Sequence, residues 1–274
     1  MDYSTLNLPV VEARVDWITA TAARGHRADD LIRFAEMQML GEETAGGRFE
    51  DWRFQGYRGF SCGDVRWGWG KQGACTVWSR ELSHIAAPAL SKLADHWSRV
   101  DYCVTVFDVT GEVSPSDDWW AVYKGLYPDG NHVVRLSRLQ ELGAGSTVAL
   151  GARTAATYCR AYDKHYESKG DYAKGCWRWE LELKREQSEA QQKRWASDIV
   201  FQSYILGLVK GWPEVHQLPC PWVAAAKLEP CHQLRHSRDI DRTLEWLERQ
   251  VTPSVEWASQ VAGEQRVKEV LRLR

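Results

Sequence analysis

Between residues 15 and 184 the apolar positions recur mostly at every second residue. Segments 15–22 (VDWITATA), 64–69 (DVRWGW), 74–78, 100–108 (VDYCVTVFD), 147–150, 157–167 and 176–184 are rich in β-branched or aromatic residues. Several alternate, and glycine or polar turns bound them, which predicts strands. Three stretches follow the helical period instead. In 27–40 the apolar residues are Leu31, Ile32, Phe34, Ala35 and Met39; 86–98 carries Pro88 near its start; 117–126 opens with acidic residues, as a helix N-terminus prefers. Strands joined by short connections, with helices set between groups of them, predict an α+β fold built on a mainly antiparallel sheet.

Beyond residue 184 the period changes. KREQSEAQQKRWASDIVFQSYILGLV and DRTLEWLERQVTPSVEWASQVAGEQRVKEVLRLR both space their apolar residues as helices do, and the proline-rich stretch 213–230 separates them. Pro253 is expected to divide the second into two helices. The chain therefore reads as a sheet-bearing unit over 10–195 and a helical C-terminal part over 196–274, or as one domain containing both.

Composition narrows the classes. At 274 residues and 44% hydrophobic the chain buries a sizeable core. A net charge of −2 gives no global basic excess, so any nucleic-acid contact must come from local patches. The 15 tryptophans suit either a core or a stacking surface for unpaired bases. No basic segment followed by an apolar run opens the chain, and no apolar run reaches the ~20 residues a bilayer needs, so a cytoplasmic protein without membrane contact is expected. The 7 cysteines form no CxxC pair and mostly sit in apolar segments, which predicts free, buried thiols.

The chemistry concentrates in two neighbouring strands. Alternation over 157–167 sets Tyr158, Arg160, Tyr162, Lys164 and Tyr166 on one face. Alternation over 176–184 sets Arg178, Glu180, Glu182 and Lys184 on one face, with Trp177, Trp179, Leu181 and Leu183 behind. The connection SKGDYAKG is short and turn-rich, so an antiparallel hairpin is expected, with tyrosines and carboxylates sharing a surface. Such a surface holds what phosphodiester transfer to a protein hydroxyl needs: a nucleophile, cations for the phosphate and acidic ligands for a divalent ion. A phenol with a pKa near ~10 attacks slowly unless a metal or cation helps it, and Lys164 stands two residues from Tyr162. The alternative is an amphipathic sheet whose glutamates pair with Arg178 and Lys184. Asp101, in an otherwise apolar strand, requires a partner, either an arginine or a metal. Asp16 is a similar, weaker case.

The run TVALGARTAATYCRAYDKHYESKGDY followed by WRWELELK resembles the signature of the Rep_trans family, the replication initiation factors of pT181-type plasmids and related phages and integrative elements. Arg160, Tyr162, Lys164, Glu167, Arg178 and Glu180 match its R-x-Y-x-K and R-x-E motifs. VDWIT resembles the family's opening strand, SRVDYCVTVFD its R-x-D strand, and TLEWLERQVTPSVEWA a C-terminal element of phage-type members. The resemblance implies a metal-dependent, tyrosine-dependent endonuclease that nicks one strand at a rolling-circle origin, keeps the 5′ phosphate on tyrosine and leaves a 3′ hydroxyl for synthesis. In the R-x-D strand the chain departs from the family: Thr105 stands where a second acid is common, and the next acid is Asp108. There is no histidine-hydrophobic-histidine triplet, so carboxylate coordination of Mg2+ or Mn2+ is expected.

On this reading 10–195 is the nicking domain, Tyr162 is the nucleophile with Tyr166 and Tyr158 as alternatives, Arg160 and Lys164 assist, and Asp101 and Glu180 hold the metal with Glu182 as helper. Arg178, Lys184, Arg185, Arg235, Arg238 and Arg242 are the expected DNA contacts, with Lys193 and Arg194 beside them in the basic runs. His216, Cys220, Cys231, His232 and His236 fit no common zinc module. Expected partners are origin DNA, duplex or cruciform and then single-stranded, a host helicase and a second copy of the chain. A conjugative relaxase of the same family, a non-catalytic origin-binding regulator and a conventional hydrolytic nuclease are the alternatives.

Overall fold

A computed structural model describes residues 8–108, 136–142, 145–197, 202–215, 226–227, 259 and 265. Its centre is β1, Leu8–Ala23, a long strand that pairs antiparallel with β5 (Gly73–Ser79) on one side and β6 (His96–Phe107) on the other. From β5 the sheet continues outward as a meander through β4 (Val65–Gly70), β3 (Tyr57–Cys62) and β2 (Glu50–Phe54). On the other side β6 is followed by β10 (Cys176–Lys184), β9 (Thr157–Asp163), β8 (Gly145–Leu150) and β7 (Leu136–Leu142). A two-residue strand, β11 (Ala226–Lys227), adds in parallel at Leu8 and Pro9. All pairings other than that of β11 are antiparallel, so the fold is α+β.

The two faces of this sheet differ because alternation sorts the side chains. Ile18, Trp78, Val100, Tyr102, Trp179, Leu181 and Leu183 are buried on one face. The long helices cover it: α1 (His26–Thr44), α2 (Arg80–Leu93), α4 (Glu186–Ser197) and α5 (Gln202–Val215). Helix α1 presents Leu31, Ile32, Ala35 and Met39 inward, and its Phe34 stacks on Trp78 at 5.2 Å. Several polar groups buried at this interface are matched, although Nε1 of Trp78 and of Trp97 has no hydrogen-bond partner. Trp195 Nε1 donates to Tyr102 Oη at 2.9 Å, and Gln192 accepts from Trp97 N at 2.8 Å while donating to Ala94 O at 2.9 Å.

Four expectations shift. Helix 86–98 becomes α2, which starts after Ser79 and holds Pro88 in its interior, and His96 already belongs to β6. Segment 157–167 does not stay extended. Strand β9 ends at Asp163, whose carboxylate accepts from Tyr166 N at 3.2 Å and caps the helical turn α3 (Lys164–Glu167). Lys164 and Tyr166 therefore leave the strand face that carries Tyr162. Strands β2 and β3 go beyond the expected set. Helix α5 packs on β1 and β6, so the first helices after residue 184 extend the layer over the sheet. The helix expected at 117–126 lies outside the described residues. Cys62, Cys75, Cys103, Cys159 and Cys176 are buried thiols outside any disulfide, as expected.

Candidate active site

No described long helix covers the opposite face, and there the polar positions of β1, β6, β9 and β10 come together. Register places Asp101 opposite Glu182, Cys103 opposite Glu180 and Thr105 opposite Arg178 across β6–β10. Across β10–β9 it places Glu180 opposite Arg160, Arg178 opposite Tyr162 and Glu182 opposite Tyr158. Tyrosine and carboxylates share the hairpin surface, as alternation predicts.

Glu180 is the hub. It is 3% exposed, accepts a hydrogen bond from the Tyr162 hydroxyl and forms an ion pair with Arg160, whose guanidinium also lies 5.4 Å from the Tyr162 ring centre. Burial, and next the charge of Glu180, push the Tyr162 phenol well above its ordinary value, against Arg178 and Arg160. The phenol stays protonated at neutral pH and donates its hydrogen to the Glu180 carboxylate. Asp101 and Glu182 form a neighbouring pair. Arg99 binds Asp101 through two hydrogen bonds, 2.8 Å from Nε and 2.5 Å from Nη2, and reaches Glu182 at 3.0 Å. Lys184 also pairs with Glu182. Burial, reinforced by the charges of Glu182 and Glu180, pushes the Asp101 carboxyl up to about 7 in spite of Arg99.

A second cluster, which sequence reading missed, lies beside the first. Arg178 is 2% exposed, so its guanidinium faces inward: it pairs with Glu12 and, at 3.3 Å, with Asp16, and donates to Thr105 Oγ1 at 3.0 Å and Tyr172 Oη at 3.0 Å. Tyr172 in turn donates to Glu12 at 3.1 Å, and Arg14 pairs with Glu12 at 2.8 Å. Burial opposes the charges of Glu12 and Asp16, yet Arg178 and Arg14 hold both carboxyls below their ordinary values. The alternating charges Glu12, Arg14 and Asp16 were the available signal. Register shifts in β1 at Val10/Glu12 and Val15/Trp17 hid which neighbours they meet.

The remaining candidates separate. Lys164 is buried at the start of α3, pairs with Glu167 at 2.5 Å, and lies 5.8 Å from the ring centre of Tyr162 and 5.4 Å from that of Tyr172. Tyr166 is 41% exposed on the same turn, against the ring of His165, and Tyr158 faces Glu182. Arg185 donates to Thr154 O at 3.4 Å, and Lys184 donates to Arg153 O. Lys193 and Arg194 belong to α4, in the helical layer. Arg235, Arg238, Arg242 and the His216–His236 cluster lie outside the described residues. Asp101, Glu180 and Glu182 are the donor type a hard divalent cation takes, and such an ion would favour the charged Asp101 carboxylate, which burial and then the charges of Glu182 and Glu180 disfavour. In the present arrangement their oxygens face Arg99, Arg160 and Lys184, and among the described residues no three His, Cys, Asp or Glu side chains converge on a point able to hold a metal ion.

The fold is similar to that of a solved rolling circle replication initiator protein from Geobacillus stearothermophilus, with a TM-score of 0.54 and 16% sequence identity over 75% of this chain and 85% of that one. No curated protein sequence matches the chain. Residues 123–273 match the family model of replication initiation factors, and the chain belongs to that family. No helix among the described residues is long and apolar enough to cross a membrane.

Proposed function

We propose that the chain is a rolling-circle replication initiator that nicks and reseals one strand of origin DNA through a 5′-phosphotyrosine at Tyr162. The observation that carries this reading is the hydrogen bond from the Tyr162 hydroxyl to Glu180. Within a family of replication initiation factors, it gives a buried phenol a proton acceptor and a cationic neighbour at once. Tyr162 Oη attacks the scissile phosphorus, its proton passes to Glu180, and the P–O3′ bond breaks. The departing 3′ oxygen takes a proton to become the 3′ hydroxyl, and the phosphate remains esterified to the phenol. Attack by a 3′ hydroxyl reverses each step, so the energy of the diester is kept for religation.

Arg160 and Lys164 offset negative charge as it builds on the phosphate. Glu180 must release part of its hold on Arg160 to accept the proton, which frees that guanidinium for the phosphate. Asp101 and Glu180, helped by Glu182, would hold Mg2+ or Mn2+ once their oxygens turn from the arginines. A bound ion there supplies Lewis-acid polarisation of the phosphate. Lys184 and Arg185, at the end of β10, and Arg235, Arg238 and Arg242 in the C-terminal part are assigned to the DNA backbone, with a helicase and a second copy as further partners.

The test is Tyr162→Phe, which removes one oxygen from a packed ring. With a single-stranded origin oligonucleotide, the parent should yield a protein–DNA adduct that survives a denaturing gel, and the variant none. An adduct that persists in Tyr162→Phe and is lost in Tyr166→Phe or Tyr158→Phe moves the nucleophile. Absence of any adduct, with the supercoiled origin left intact, overturns the transferase reading in favour of a non-catalytic origin-binding role.

A further inference from the structure

The face that carries Asp101 and Glu180 does not end at β6. Across β1 and β5 it continues onto the meander β4–β3–β2, where no described long helix lies over it. Register fixes what stands there. Trp17 is opposite Asp101 on one side and Ser79 on the other. Arg66 shares a row with Ser61 and Glu50, and the next row on the same face is Trp52, Gly59, Gly68 and Cys75. Phe54 and Tyr57 close the row beyond. From β6 to β2 is five strand spacings, about 24 Å at ~4.8 Å each.

Three observations make this strip unlike an ordinary sheet surface. Its large side chains are aromatic and open to solvent at the outer end: Phe54 is 38% exposed and stacks on half-buried Trp52 at 5.7 Å. Cations line its inner end, and one has hydrogen-bonding capacity to spare. The guanidinium carbons of Arg66 and Arg99 lie 5.7 Å and 5.2 Å from the Trp17 ring centre, and Nη1 of Arg66 is buried without a hydrogen-bond partner. Its middle is low, because Gly59 and buried Gly68 face one another beside buried Cys75, and a Cβ on Gly59 would come within 2.0 Å of the Trp67 carbonyl oxygen.

Flat rings, an unspent guanidinium and a low floor are the elements with which proteins hold unpaired nucleotides, the bases stacking while the cations follow the phosphates. We infer that this strip is a single-stranded DNA track, along which the strand flanking the cleavage site runs from the carboxylate cluster, past Trp17 and Arg66, to Trp52 and Phe54. The inference deepens the nicking reading and rests on it for the choice of strand. The occupant follows from charge complementarity with Arg66 and from continuity with the Asp101 end of the site.

Equilibrium binding of three labelled probes tests the track: a 20-nucleotide oligothymidylate, an abasic oligomer with the same number of phosphates, and a 20-base-pair duplex. The parent should prefer oligothymidylate to either of the others. Trp52→Ala and Phe54→Ala should each weaken oligothymidylate roughly tenfold, as loss of one stacked base does, and leave the abasic oligomer unchanged. Trp52→Phe should recover most of the loss. Phe60→Ala removes an equally open ring from the opposite face, where Phe60 is 45% exposed, and should change nothing. Equal parental affinity for the two single strands, or an equal loss in Phe60→Ala, overturns the track. These probes need no adduct, so failure of the nicking reading shows separately: the track binds as expected while the origin oligonucleotide yields no covalent product.

Discussion

Asp101 concentrates the electrostatics of the site in one side chain. Burial and the nearby charges of Glu182 and Glu180 raise its carboxyl to about 7, above the ~3.9 of an unfolded chain. A raised carboxyl pKa means that the folded state binds more protons than the unfolded one between these values, so stability falls as pH rises from about 4 to about 7. Thermal melts of the parent should show that decline, and Asp101→Asn should flatten it. Above pH 7, Mg2+ should raise the parental melting temperature by offsetting the carboxylate charges, and should do so far less in Asp101→Asn or Glu180→Gln. Both variants, and EDTA treatment of the parent, should suppress nicking. Full activity in EDTA removes the metal from the proposal. The sequence made Asp101 conspicuous, an acid in an apolar strand. It concealed Arg99 as a bidentate partner, because residues two apart on a strand share a face whether or not they touch.

At the scale of elements, alternation located β9 and β10 and the face of each functional residue up to Asp163. It failed at Lys164 because Asp163 is a capping residue. Hydrogen bonding from Tyr166 N to its carboxylate favours a helical turn over further extension. That turn moves Lys164 off the strand and sets it between the rings of Tyr162 and Tyr172. Arg178 shows the same limit from the other direction. Its place on the polar face was legible, but its partners Glu12 and Asp16 come from a strand whose bulges change register. Removing this guanidinium leaves Glu12 and Asp16 without their main counter-charge, so Arg178→Met should cost about 3–5 kcal/mol in denaturant unfolding. Removing the Tyr172 hydroxyl with Phe should cost about 1 kcal/mol. An Arg178→Met protein as stable as the parent contradicts the assignment of this network as the clamp between β1, β6 and β10.

For the molecule as a whole, a net charge of −2 sets a bound on how DNA is held. Affinity must rest on a small number of neutralised phosphates, so log affinity should fall only modestly with log salt. Replacing Arg235, Arg238 and Arg242 with neutral residues should reduce the slope by about 1 for each phosphate that is no longer neutralised. An unchanged slope places the cations that meet the DNA backbone elsewhere. Antiparallel pairing and the α+β class followed from short connections and period-2 segments. The order of the strands did not, since nothing local shows that the first strand occupies the middle of the sheet. That central position governs when the protein can come into being on the ribosome. Strand β1 gains β5 and β6 early in synthesis, but Glu180 lies 79 positions after Asp101, and Tyr162 precedes it. A nascent chain therefore exposes the tyrosine before it owns Glu180, its hydrogen-bond partner, and closing the long loop to β10 is expected to be the slow, entropy-costly event. Fragments ending before β10 should neither fold cooperatively nor modify DNA.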